Sequence, residues 1–186
     1  MNITANHRLR DKLWQRQPSA AGRYHPWLTD RGSLTRRIEA RSPGITVKVV
    51  FQGMRRLHRD ERFLARGAHA GRLRALTRDV ILYCGKTPVV YAHSVLRPND
   101  HGAGWRLMQG IGSRPMGAAL FADPRIRRLP LHQRKLGRGH ELYQHANGIA
   151  RTDGKRGPIW ARRSLFIVGK SPILVTEVFL PGVLAL

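Results

Sequence analysis

The chain has 186 residues, 41% of them apolar, and a formal charge of +23; these numbers describe one globular domain that buries a core, and they exclude a disordered chain. No apolar run is long enough to cross a membrane as a helix, residues 1–8 lack the apolar core of a signal peptide, and Cys84 is the single cysteine, so the expectation is a cytoplasmic protein without an internal disulfide. The charge comes from 28 Arg and 6 Lys spread along the chain, with no zinc-finger spacing, aromatic RNP strand or basic zipper, which predicts salt-sensitive contact with polyanions and no specific nucleic-acid recognition.

In chain order, residues 4–17 carry a helical pattern that stops before Pro18, and residues 22–26 read as a turn. Short helices follow at Trp27-Leu28 and after Ser33, a plausible N-cap. Residues 45–51 (ITVKVVF) alternate and are β-branched, so they read as a strand ending near Gly53. Residues 54–75 are Arg-rich and read as a loop or short helix.

An internal echo comes next. Residues 84–95 (CGKTPVVYAHSV) match residues 168–179 (VGKSPILVTEVF). Each copy has an apolar strand before it, a Gly-Lys-(Ser/Thr)-Pro turn and a returning apolar strand, hence a β-hairpin. The echo sets Arg78 against Arg162 and His93 against Glu177. No phosphate loop is implied, because the upstream glycine is missing and proline stands where a helix must run.

Between the hairpins, residues 105–110 and 113–121 read as helical, the second capped by Ser113 with Pro115 in its first turn. Residues 123–156 are polar and rich in Arg, His and Gly, and read as an extended surface loop with a short strand near residues 141–143. Two hairpins and separate short helices give an α+β fold with a hairpin-rich antiparallel sheet of about six strands.

Glu177 is a lone carboxylate in an apolar strand, on the face of Ile173, Val175 and Phe179. An unpaired buried charge is costly, so the position marks either a lined cavity or a wet edge strand. Arg78 is its counterpart, a charge on the face of Val80, Leu82 and Cys84. The pair reads either as an inter-strand salt bridge or as two poles of a pocket, with a guanidinium fork for a carboxylate at one end. The nine histidines show no His-Glu-x-x-His or Cys/His cluster; His140 and His145, beside Glu141, read as solvated loop groups. Cys84 reads as a small apolar residue. No metal is expected, and no cofactor.

Residues 160–164 (WARRS) with residues 169–181 (GKSPILVTEVFLP) closely resemble the C-terminal signature of the chorismate pyruvate-lyase family. Trp27-Leu28 with residues 33–37 (SLTRR), residues 78–84 (RDVILYC), and residues 112–117 (GSRPMG) with Leu120-Phe121 are similar to its other motifs in order and spacing. The resemblance implies a cofactor-free conversion of chorismate to 4-hydroxybenzoate and pyruvate, opening ubiquinone biosynthesis, in a single domain with flap segments over a buried ligand pocket. It further implies that Arg78 binds the ring carboxylate, assisted by the Met116 backbone amide, that Glu177 accepts a hydrogen bond from the ring hydroxyl, and that Leu34 packs on the ring from a flap. Catalytic duty falls to Glu177 and Arg78. Residues 1–24 are then an N-terminal extension, residues 123–157 a basic loop insertion, and the enzyme a monomer. Met116 stands where the family has Leu, and Asp79 where it has Glu. Two alternatives stay open. One is a non-catalytic small-molecule-sensing domain of the same fold, for which the residues before Trp27 are too few to hold a helix-turn-helix; the other is a basic nucleic-acid-binding protein.

Overall fold

Gly85 and Gly169 sit at φ of +56° and +62°, the left-handed region that glycine enters without a Cβ penalty. Each therefore reverses the chain: β2 (Arg74–Cys84) folds back into β3 (Thr87–Leu96), and β6 (Ile159–Val168) into β7 (Ser171–Phe179). In the computed structural model, which describes residues 13–42, 44–65, 73–149 and 158–186, β3 and β7 pair antiparallel and join the two hairpins. A long strand, β1 (Ile45–Arg56), lies outside β2, while β4 (Arg127–Arg128) and β5 (His132–Leu136) share the outer side of β6 in succession. The result is α+β, a seven-stranded antiparallel sheet ordered β1-β2-β3-β7-β6-β4, with β5 also on β6.

Helices cover both faces. On one lie α1 (His25–Thr29), α2 (Leu34–Glu39), α3 (Ala103–Gly110) and α4 (Met116–Ala122); on the other lie α5 (Glu141–Ile149) and the 3-10 turn Arg59–Leu64. Side-chain alternation makes this possible. Val80, Leu82 and Phe179 pack under Trp27, Leu28, Leu34 and Ile38, and Ile173, Val175 and Phe166 under Met108, Met116 and Leu120. Their chain neighbours Ile81 and Val178 point the other way, to Leu142, Tyr143 and Ala146. α3 seats closely: a Cβ on Gly104 would fall 2.7 Å from Leu96 Cδ1 and 2.8 Å from Ser171 Cβ. Because β7 is covered on both sides, a charge within it is conspicuous.

Several expectations need correction. Most of the helix expected over 4–17 lies outside the described residues; residues 13–17 are not helical, and Gln15 instead bridges Gln133. β1 runs past Gly53 to Arg56. Pro115, not Ser113, occupies the cap position of α4, and no side chain caps it. The stretch expected as an extended loop holds β4, β5 and α5, and residues 141–143 begin a helix, not a strand. Leu142, Tyr143 and Ala146 bury one face of that helix, and β5 is a strand because β6 offers it an edge, whatever its polar composition.

The hairpin echo holds for Arg78 and Arg162 but fails for His93 and Glu177. In the second hairpin the register is continuous and pairs Arg162 with Glu177. In the first it slips at Val89, which has no partner, so Arg78 pairs with Ser94 and His93 with Asp79. One extra residue turns the strand over. His93 therefore faces away from Arg78, and Ala92 becomes the neighbour of Glu177 across β3 and β7. The histidines are not all solvated either: His93 and His58 are buried, and His140 bonds Asp60 at 3.2 Å.

Candidate active site

Arg78 projects from β2 onto the face covered by α1 to α4 and is 2% exposed. Its Nη1 donates to Gln52 Oε1 on β1, and its Nη2 donates to the Gly112 carbonyl at 2.5 Å. Gln52 is held in turn by its own amide, which donates to the Met108 carbonyl of α3 at 3.1 Å. Its third nitrogen, Nε, is buried with no hydrogen-bond partner among the described residues. No carboxylate pairs with Arg78 among the described residues, and burial alone pulls its pKa below the ordinary arginine value. A buried cation without a counter-ion is costly and favours an anionic ligand.

The loop that takes up Arg78 also starts α4. Gly112 stands at φ +58°, and four residues on, Met116 opens the helix behind Pro115, with no side chain capping the first amides. The Met116 side chain is buried in the core. Its backbone N–H is one of the helix-start donors that lack an intrahelical partner.

Glu177 points to the same face from β7, two strands across from Arg78 and one residue pair along; strand spacing and rise put their Cα atoms about 12 Å apart. The two are not a salt bridge to each other. Glu177 Oε2 accepts from Arg162 Nε at 2.5 Å, across the register pair of β6 and β7. Arg162 is fully buried, whereas the Glu177 side chain keeps 15% of its exposure. Its neighbour on β3 is only a methyl group, Ala92, and its other oxygen has no hydrogen bond among the described residues. Thus one oxygen is anchored and the other is available.

Arg162 does a second thing. Its Nη1 donates to the carbonyls of Trp27 at 2.8 Å and Asp30 at 2.7 Å, so the partner of Glu177 also ties down the segment between α1 and α2. Arg128 repeats the pattern, with Nε donating to Ser164 Oγ at 3.0 Å and Nη1 to the Arg31 carbonyl at 2.6 Å. Burial lowers the Arg128 pKa, and the Glu177 charge opposes that shift. The tethered segment leads into α2, where the Ser33 hydroxyl caps Arg36 N–H and Leu34 is packed among Trp27, Val80, Leu82 and Phe179. α2 also meets α4: a Cβ on Gly117 would touch Thr35 Oγ1 at 3.4 Å.

The structure therefore brings all four sequence-derived residues to one side of the sheet, Arg78 and Glu177 on the strands and Leu34 and Met116 in the helices that cover them. Sequence reasoning missed Gln52, Arg128 and the role of Arg162. The signal for Arg162 was present, since residues equidistant from the Gly169-Lys170 turn must pair, and that rule sets 162 against 177. Gln52 and Arg128 reach the site through contacts 26 and 36 residues apart in sequence, and nothing local announces them.

A family model described as "Chorismate lyase" matches residues 9–185. A probable chorismate pyruvate-lyase of Methylobacillus flagellatus is 42% identical over 178 residues, covering 96% of this chain and 97% of its own. One from Aromatoleum aromaticum is 45% identical over 170 residues, 91% of each chain. Among solved structures, the C-terminal domain of the histidine utilization repressor from Pseudomonas syringae pv. tomato superposes with a TM-score of 0.51 at 10% identity, covering 74% of this chain and 92% of that one. PhnF from Mycobacterium smegmatis gives 0.52 at 10% identity, covering 82% and 65%. Likeness at that identity concerns the fold alone.

Proposed function

This chain belongs to the chorismate lyase family, and on that premise we propose that it converts chorismate to 4-hydroxybenzoate and pyruvate, the opening step of ubiquinone biosynthesis. The observation that supports this most is the pair of poles on one covered face: a buried arginine with no carboxylate, and a carboxylate with one oxygen anchored and one available. A para-substituted ring acid has a carboxylate at one end and a hydroxyl at the other, which suits that pair.

In this reading Arg78 binds the ring carboxylate, with its Nε–H and the Met116 amide among the donors open to it. Glu177 accepts the hydrogen bond of the ring hydroxyl through its available oxygen. Leu34 closes on the ring, and the Arg162 and Arg128 tethers hold that cover in place. The reaction breaks the C3–O bond, moves the C4 hydrogen to the enolpyruvyl methylene and forms the pyruvate carbonyl while the ring becomes aromatic. Chorismate carries that hydrogen on the same side as the leaving group, so a six-membered cyclic transfer needs only the right conformer and stabilisation of shifting charge. The anchoring of Glu177 by Arg162 favours its service as a fixed acceptor over service as a mobile base.

We read the chain as a single domain acting as a cytoplasmic monomer on its own substrate, without cofactor; no helix among the described residues is long and apolar enough to cross a membrane. The +23 charge assists capture of a dianion and gives only salt-sensitive contact with nucleic acid. The test is one turnover assay with purified protein in the presence of chelator, followed by ultraviolet absorption. Appearance of 4-hydroxybenzoate is expected. Folded protein that binds chorismate and yields no product would instead support a ligand-sensing domain.

A further inference from the structure

The sheet face turned away from the site carries a second buried polar cluster, which the lyase chemistry leaves unused. His93 comes from β3, and His58 and Glu61 from the turn before and within the 3-10 segment Arg59–Leu64. All three are buried. His58, Glu61 and His93 each bring one ligand atom within 4.8 Å of the others, and His58 Nδ1, Glu61 Oε1 and His93 Nε2 are all buried. His93 Nε2 lies 2.8 Å from Glu61 Oε1 and His58 Nδ1 3.5 Å from the same oxygen, so two imidazoles converge on one carboxylate oxygen. Two buried imidazole nitrogens that face one buried carboxylate oxygen are a donor set suited to a metal ion.

Neighbouring groups fix the outer atoms of two of the three side chains. Asp79 Oδ1 holds His93 Nδ1 at 2.6 Å, and the His58 backbone N–H holds Glu61 Oε2 at 3.0 Å. A carboxylate behind a histidine, with its opposite nitrogen left open, is the outer-shell arrangement of metal-binding imidazoles. Glu141, at the start of α5, brings Oε2 to 3.7 Å from His58 Nδ1 and is itself 56% exposed, which offers a fourth ligand atom from the solvent side. Arg55 balances Asp79 from outside at 2.7 Å.

We propose that His58, Glu61 and His93 form a binding site for a divalent transition-metal ion of the Zn²⁺ class, with Glu141 completing the coordination. Two nitrogens and one or two carboxylate oxygens are a donor set that such an ion accepts, at about 2.0–2.2 Å from each ligand. The rings of His58 and His93 are stacked, with centroids 4.8 Å apart and planes within 7°, so the His58 ring turns to aim Nδ1 at the ion. The site lies across the sheet from Arg78 and Glu177, so the ion is structural and takes no part in turnover.

The experiment uses the untagged full-length chain, stripped with chelator and titrated with Zn²⁺ alone or Co²⁺ alone. One equivalent of Zn²⁺ retained through gel filtration, a visible Co²⁺ spectrum of low-coordinate nitrogen–oxygen type and a raised melting temperature are expected. Glu61→Gln and His58→Gln are expected to abolish stoichiometric binding, and Asp79→Asn to weaken it about 10–100-fold, with circular dichroism reporting the fold. Should the Glu61 variant fail to fold, the wild-type stoichiometry and Co²⁺ spectrum still decide. Only trace metal bound by the wild-type chain, or unchanged binding in folded His58→Gln, would overturn the site. Chorismate turnover of the stripped protein is scored separately and is expected to persist, so loss of the metal site and loss of the lyase reading remain distinct results.

Discussion

Replacing Arg162 with methionine removes one guanidinium and three hydrogen bonds at once: to Glu177, to the Trp27 carbonyl and to the Asp30 carbonyl. Methionine keeps most of the side-chain volume, so cavity formation is a minor part of the effect. The larger part is the half-buried Glu177 carboxylate left without its partner, together with two backbone acceptors that lose theirs. Removing one member of a buried pair costs about 3–5 kcal/mol. Because the Glu177 side chain retains 15% exposure, the lower end applies, about 3 kcal/mol. In a domain of this size that corresponds to a fall of about 6–12 °C in melting temperature. Urea unfolding with the urea midpoint and slope fitted together gives the stability loss, and kcat and KM are measured on the folded fraction. Both are expected to suffer, since Arg162 orients the acceptor and tethers the segment that leads to Leu34. The double variant Arg162→Met with Glu177→Gln closes a cycle in which the second change costs less than it does alone. A loss below about 1 kcal/mol with unchanged kinetics would refute the claim that this pair organises the site.

Arg78→Met is expected to leave stability within about 1 kcal/mol, since a desolvated cation without counter-ion is removed, while weakening 4-hydroxybenzoate binding by at least tenfold in a calorimetric titration. Glu177→Gln separates two roles: a loss of kcat below about tenfold fits a hydroxyl acceptor, and a loss of about 10²–10⁴-fold fits a general base. Leu34→Ala opens a void against Trp27 and Phe179 and is expected to cost about 2–4 kcal/mol in denaturant unfolding, with a raised KM. At acid pH the cover should loosen: burial would raise the Asp30 pKa, but the hydrogen bond and charge of Arg37 and the Gly32 amide lower it below the ordinary 3.8. A depressed carboxylate stabilises the fold above its unfolded pKa and loses that contribution as pH falls through its folded value, so Asp30→Asn should flatten the stability-versus-pH curve below about pH 4, read by thermal melts at low salt.

What the sequence revealed was what local rules control. The two Gly-Lys turns and the alternating strands that flank them fix both hairpins, and Glu177 was conspicuous because a single carboxylate interrupts that alternation. The Ser33 cap was legible for the same reason. His132 to Leu136 was not, because five mostly polar residues become a strand only when β6 offers a hydrogen-bonding edge. α5 carried its apolar spacing in plain view, yet Arg, His and Gly on either side hid it. The buried cluster around His93 was illegible because its members stand 3 to 35 residues apart, and one unpaired residue, Val89, decides which face His93 takes.

The strands of this sheet carry different contacts at consecutive positions: Arg78 turns to the Gly112 loop and Asp79 to the histidine cluster, Arg162 to Glu177 and Arg163 to Asp60. Exchange of a side chain touches one face at a time. Deletion or insertion of a single residue in β2 or β6 would instead transpose the two faces, carrying Arg78 or Arg162 to the face of the histidine cluster and the reverse. The protein should therefore accept point substitutions across these strands far more readily than frame-preserving length changes, and a deletion scan of the gene should show that gap most sharply between the site and the Gly-Lys turns.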